Sequence, residues 1–196
     1  MGAYPSFEKN ILKYVDLSQD ELAAFISCYT LETVEKNRII LKEGEVCEFE
    51  SYVLEGCFKV FYQDENLREH ILYFAVEDWW VLDIGSFVSG KVSRLNIQAL
   101  EDSVILTVDR AKKEQLYADI PKAEKIFRIM NQKSLASMHL RMISMLHKTA
   151  ERRYLDFTER YPALDQRIAQ HQIAAYLGIS HEFLSKVKKR LLRNQQ

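Results

Sequence analysis

The sequence predicts an α+β chain in three parts: an N-terminal double-stranded β-helix or jelly roll, one long helix, and a C-terminal all-α unit built on a helix-turn-helix. Three observations predict it. From Arg38 to about Val108, short runs rich in β-branched and aromatic residues alternate with turn signals. Beyond Pro121, Leu135, Met138, Met142 and Met145 repeat at three, four and three. In the last quarter, Ile173, Leu177, Ile179, Leu184 and Val187 fall where two crossing helices must bury side chains, with Ala174 at the crossing and Gly178 at the turn.

The elements follow in order. Ser18-Gln-Asp-Glu21 is a capping box, and Leu22, Phe25 and Ile26 behind it make one apolar helical stripe. The clearest strands are Tyr52–Leu54, Phe58–Tyr62, His70–Phe74, Asn96–Leu100 and Val104–Val108, separated by Glu43-Gly-Glu45, Glu55-Gly56, Asp64-Glu-Asn66 and Glu101-Asp102. Strands then stop and Pro121 opens the long helix. A second apolar stripe, Ala136, Leu140 and Ile143, lies on another face of it. Two apolar faces require two burial partners: the β-roll for one, and the same helix of a second subunit for the Leu135/Met138/Met142/Met145 seam. A charged helix from Ala150 to Tyr161 stops before Pro162, because proline disfavours helical backbone in the residue preceding it. The expected division is residues 1–118 for the β-roll with short flanking helices, 119–147 for the dimerisation helix and 148–196 for the helix-turn-helix unit.

Composition limits the function. The 196 residues, 47% of them hydrophobic, suffice for a buried core. Net charge is −1, but from Leu164 onward six Lys and Arg face two acids, so a tail of +4 is joined to a body of −5. One small module therefore carries the affinity for phosphate. Cys28, Cys47 and Cys57 are scattered, which argues against a disulfide framework, a zinc site or a cysteine-ligated cluster and suits a reducing cytoplasm. No secretory leader and no apolar run near the roughly 20 residues of a membrane span is evident.

On the second helix of the motif, Ser180 offers an N-cap hydroxyl and Glu182 a first-turn carboxylate. Glu182, Lys186, Lys189 and Arg193 recur at four, three and four, on the face opposite Leu184, Val187 and Leu191. Such a face suits the major groove of double-stranded DNA.

This order of parts resembles the Crp/Fnr superfamily of transcription regulators over nearly the whole chain. Glu43-Gly-Glu45 and Tyr52-Val-Leu-Glu-Gly56 with Lys59-Val60 resemble its strand-turn-strand signature around paired glycines. Ile173-Ala-Ala-Tyr-Leu-Gly-Ile-Ser180 followed by Glu182 and Lys186 resembles its recognition motif. The resemblance implies a homodimer on palindromic DNA, with bases read by His181, Glu182 and Lys186 and phosphate touched by Ser180. Lys188, Lys189, Arg190 and Arg193 are assigned to backbone contacts. Transcription machinery is an expected partner; a catalytic site is not expected. With the chain ending at Gln196, a wing after the recognition helix is not expected either.

Relatives that bind cyclic AMP carry Gly-Glu-Leu and, about ten residues on, Arg followed by Ser or Thr. Here the aligned segments read Leu82-Asp83-Ile84 and Ser93-Arg94-Leu95. The Arg is displaced by one, which on a strand turns a side chain to the opposite face. In irregular backbone Arg94 could still turn inward, with Asp83 a shorter ribose acceptor. The candidate effector pocket is therefore Trp79, Trp80, Asp83, Ser93 and Arg94, with no cofactor identifiable and cyclic AMP disfavoured. Trp79-Trp80 reads either as an aromatic wall for an effector or as a structural plug; the plug is favoured because large aromatics dominate small cores. Two rival functions are a ligand-binding module whose C-terminal helices touch protein, and a cupin-like metal enzyme. The latter is opposed by His70 being the lone histidine of the β region.

Overall fold

Ser18 closes its capping box: its hydroxyl accepts from Glu21 N–H at 3.1 Å, and the Glu21 carboxylate accepts from Ser18 N–H at 2.8 Å. The computed structural model describes residues 3–162 and 164–193. Two helices, α1 (Pro5–Leu12) and α2 (Gln19–Ser27), precede eight strands. These are β1 (Thr30–Val34), β2 (Ile39–Leu41), β3 (Phe49–Glu55), β4 (Phe58–Gln63), β5 (Glu69–Ala75), β6 (Trp80–Val81), β7 (Asn96–Ala99) and β8 (Ser103–Asp109). A short helix, α3 (Ile84–Ser89), interrupts them before β7. The five strands the sequence marks most clearly all form, and the β region begins at Thr30, earlier than Arg38. Strand β1 was hidden because four of its five residues are exposed, so it lacks alternation.

The strands make two four-stranded antiparallel sheets, ordered β1-β8-β3-β6 and β2-β7-β4-β5. Between them lie Val34, Leu41, Val53, Phe58, Val60, Phe87, Ile97 and Ile105. Gly56 is required at the β3–β4 turn, where φ is +102° and a Cβ would stand 2.1 Å from Ser103 Oγ.

Both sheets are also covered on their outer faces. Tyr52, Leu106 and Val108 of the first pack under α1, α2, α4 (Arg110–Asp119) and the start of α5 (Lys122–His147). Phe61, Ile71 and Phe74 of the second, with Cys57 of the β3–β4 turn, pack under the C-terminal helices. Burial on two sides explains why Ser51-Tyr52-Val53 and Phe58-Lys-Val-Phe61 are buried without interruption. Lys59 is accommodated by an ion pair with Glu69, and Lys113 of α4 by one with buried Glu50.

Pro121 is the N-cap residue of α5, as the sequence predicts. Its first turns bury Ala123, Ile126 and Phe127. Beyond them the expected division of faces is corrected: Ala136, Leu140 and Ile143 are exposed and do not pack on the β-roll. A polar stripe faces the body instead. Ser137 accepts from Arg160, Arg141 donates to the carbonyls of Ile71 and Tyr176 at 2.8 Å each, and Ser144 donates to Asp156 at 3.1 Å. Both apolar stripes are left facing solvent, Leu140 68% and Met142 56% exposed. No helix among the described residues is long and apolar enough to cross a membrane.

The C-terminal unit comprises α6 (Ala150–Arg160), α7 (Leu164–Arg167), α8 (Gln170–Leu177) and α9 (His181–Arg193). Thr149 caps α6 through Arg152 N–H.

Candidate nucleic-acid interface

Helices α8 and α9 cross as a helix-turn-helix. Ile173, Ala174 and Leu177 on one and Leu184 and Val187 on the other are each at most 2% exposed, and Ile179 and Leu191 close the edges. Gly178 ends α8 in the left-handed conformation, φ +66°, so its N–H reaches back to the Ala174 and Ala175 carbonyls. Ser180 Oγ then accepts from Phe183 N–H at 3.2 Å, starting α9. A cap of this kind is worth about 0.5–2 kcal/mol.

With Leu184 and Val187 committed inward, His181, Glu182, Lys186, Lys189 and Arg193 are all exposed on the other side. The Glu182 carboxyl is held below its ordinary pKa, first by its own backbone N–H and then by the Ser180 hydroxyl. It is therefore an acceptor at neutral pH, the form that receives a hydrogen from cytosine N4.

Two of the basic residues predicted to touch phosphate are engaged within the chain. Lys188 Nζ donates to Asp165 at 2.9 and 3.1 Å and to Gln170 Oε1 at 3.0 Å. Burial opposes its charge, but the Asp165 bond and the Tyr154 and Asp165 charges outweigh it, raising its pKa. Lys188 braces α9 against α7 and α8. Arg190 is paired with Glu151 of α6. Among the described residues, Lys186, Lys189 and Arg193 make no such bond, which leaves them as the uncompensated cations of α9.

This unit is docked on the β-roll. Phe74 of β5 meets Phe157, Tyr161 and Tyr176 with ring centroids 6.2, 5.8 and 5.4 Å away. Trp79 lies 5.5 Å from Tyr161 and under the Arg160 guanidinium at 4.9 Å. Arg167 bridges to Glu77 at 2.7 Å and Glu101 at 2.5 Å. Arg141 stacks 3.9 Å over the Tyr176 ring while bonding both sides of the junction. Desolvation lowers its pKa from the ordinary guanidinium value. Sequence reasoning missed Arg141, although Ser137, Arg141, Ser144 and Lys148 recur at four, three and four like any inward-facing stripe.

The five residues proposed for an effector pocket do not converge. Trp80 packs with Phe7, Tyr29, Tyr52 and Phe127 outside the first sheet, and Trp79 belongs to the domain junction. Asp83 caps α3 through Gly85 N–H at 3.0 Å and Ser86 N–H at 3.3 Å, and accepts from Ser93 Oγ at 2.7 Å. Arg94 is exposed, turned toward the Tyr62 ring at 5.9 Å. The one-residue displacement thus carries the guanidinium out of the roll. With Asp83 and Ser93 bonded to each other and apolar side chains filling the interior, these residues do not fit a cyclic nucleotide.

Comparison with known proteins gives the fold a context. Residues 31–119 match the cyclic nucleotide-binding domain. Among curated proteins, none matches the sequence. Among solved structures the chain is similar to the c-di-GMP responsive global regulator CLP of Xanthomonas campestris, at 13% identity over 91% of this chain and 93% of that one, TM-score 0.74. It is similar to FixK2 of Bradyrhizobium japonicum at 22% identity, covering 85% and 86%, TM-score 0.72. A third match is a protein from Eubacterium rectale assigned to the crp/fnr family of transcriptional regulators, at 15% identity, covering 91% and 85%, TM-score 0.70. The chain shares the fold of these proteins: a cyclic nucleotide-binding domain in fold, a long helix, and a C-terminal helix-turn-helix.

Proposed function

We propose that the protein is a homodimeric, sequence-specific DNA-binding transcription regulator, non-enzymatic and acting in the cytoplasm. One observation carries this reading: α9 is locked inward by Leu184 and Val187 and presents His181, Glu182, Lys186, Lys189 and Arg193 together to solvent. Glu182 and Lys186 read base edges, with His181 beside them; Ser180 at the helix start and Lys189 and Arg193 along it hold phosphate. The exposed apolar face of α5, including Leu135, Met138, Met142 and Met145, pairs with its copy across a two-fold axis, so the operator is a palindrome with half-sites about 10 bp or a multiple of one turn apart. Structural neighbours of the same architecture that are named as regulators support the assignment. The closed Asp83–Ser93 loop favours DNA binding without a nucleotide in the roll.

The test is selection of bound duplexes from a random library at fixed moderate salt with nothing added, together with sedimentation. An enriched palindrome and a dimer are expected. Glu182→Ala then relaxes preference at one base pair by about 1–3 kcal/mol, whereas Lys189→Ala weakens all duplexes alike. A protein that enriches no duplex, alone or with cyclic AMP, sinks the reading.

A further inference from the structure

We propose that the β4–β5 hairpin of the roll is part of the DNA surface, with Arg68 contacting a phosphate outside the base pairs read by α9; this rests on the DNA-binding reading above. A cleft of about 520 Å³ separates the hairpin tip from the helix-turn-helix, lined by Leu67, Arg68 and Glu69 on one side and His171, Ser180 and His181 on the other. His181 is the first residue of α9 and His171 the second of α8, so the starts of both helices border this cleft. Helix starts present unpaired backbone N–H groups and a positive dipole end to an anion. A sugar-phosphate backbone laid across both of them passes the hairpin tip.

Charge at the tip selects Arg68. Asp64 is paired with His70 at 2.9 Å and Glu69 with Lys59, while Glu65 does not line the cleft. Among the described residues the Arg68 side chain has no hydrogen bond or ion pair, so it is the uncompensated charge on that wall. The tip is also held in advance. Asp64 Oδ1 accepts from Asn66 N–H at 3.0 Å and Arg68 N–H at 2.9 Å, and Asp64 N–H donates to the Arg68 carbonyl at 3.0 Å. Leu67 sits in the left-handed region, φ +60°, its carbonyl accepting from Gln63 Nε2 at 3.2 Å. A phosphate contact from this backbone would order little more than one side chain, which keeps its entropic cost low. The roll therefore enlarges the DNA footprint directly, and does so only while the junction at Phe74, Arg141 and Arg167 keeps it docked.

The experiment compares wild type, Arg68→Ala, Arg68→Lys and Glu182→Ala, all full-length, on the selected palindrome with long flanks, by anisotropy between 50 and 200 mM salt. Each phosphate contact adds about 0.9 to the log–log salt slope, or about 3.5-fold over that range. Arg68→Ala is expected to lose about that increment with base preference unchanged, and Arg68→Lys to keep most of it. Ethylation of a flanking phosphate should impair wild type and leave Arg68→Ala indifferent. Arg68→Ala binding equally well with an unchanged slope, or more tightly because the hairpin obstructs the duplex, would overturn the proposal while leaving the DNA-binding reading intact. A wild type that selects no duplex overturns both, and Glu182→Ala reports base reading independently of Arg68.

Discussion

Replacing Phe74 with Ala tests whether the roll and the C-terminal helical unit fold as one body. Phe74 is fully buried on the outer face of β5, and its ring partners Phe157, Tyr161 and Tyr176 all belong to the C-terminal unit. Truncating a buried phenylalanine costs about 3–5 kcal/mol, which includes about 0.5–1.5 kcal/mol for each aromatic pair. Against a total stability of about 5–15 kcal/mol this is a large fraction, and it falls on the junction. The two tryptophans provide separate probes. Trp79 sits at the junction beside Tyr161, and Trp80 in the cluster of Phe7, Tyr29, Tyr52 and Phe127. Urea titrations of Trp80→Phe and Trp79→Phe backgrounds, each leaving one probe, should coincide when Phe74 is present. With Phe74→Ala the Trp79 transition should move to lower urea, ahead of the Trp80 transition. Coincident transitions with a loss under about 1 kcal/mol would refute the claim that this ring couples the two units.

Three further outcomes are expected. Ala174→Leu, at a crossing position 2% exposed, should force α8 and α9 apart at a cost of about 1–3 kcal/mol and abolish DNA affinity before helix content, read by circular dichroism, is lost. Leu135→Glu combined with Met142→Glu, both more than half exposed in the single chain, should yield a folded monomer in sedimentation; a dimer that persists removes this face as the interface. Acid should loosen the junction through Glu77. Burial tends to raise its pKa, but the Arg167 bonds and the Gly56 N–H prevail and hold it below the ordinary 4.5. Because the folded value is the lower one, Glu77 contributes stability above about pH 4.5 and loses it as pH falls through the folded value. Trp79 fluorescence should therefore change below pH 4.5, and Glu77→Gln should remove that part of the change; an identical acid curve for Glu77→Gln would count against it.

What could be read beforehand was what neighbouring residues decide. The Ser18 capping box, the Gly178 turn, the Ser180 cap and the Pro121 and Pro162 boundaries depend on bonds spanning two to five residues, and all are local chemistry. Helices α1, α3 and α4 were not read. Asp109, the N-cap of α4, is also the last residue of β8, and α4 buries just Lys113 and Leu116, too few to make an apolar stripe. Spacing does not carry which cation of a basic run meets Asp165 across 23 residues, nor which way a loop residue such as Arg94 turns.

The sequence by itself determined the five clearest strands, helix α2, the two-helix crossing and the apolar stripes of the long helix, because periodicity and turn chemistry act through bonds between near neighbours. Only the tertiary structure decided that Trp79 and Trp80 serve two different cores, that Asp83 and Ser93 bond each other, and that Arg141 and Arg167 fasten the helix-turn-helix to the roll. The Arg167–Glu77 pair spans 90 residues, and its partners are chosen by how two separately specified surfaces fit, which no local pattern encodes.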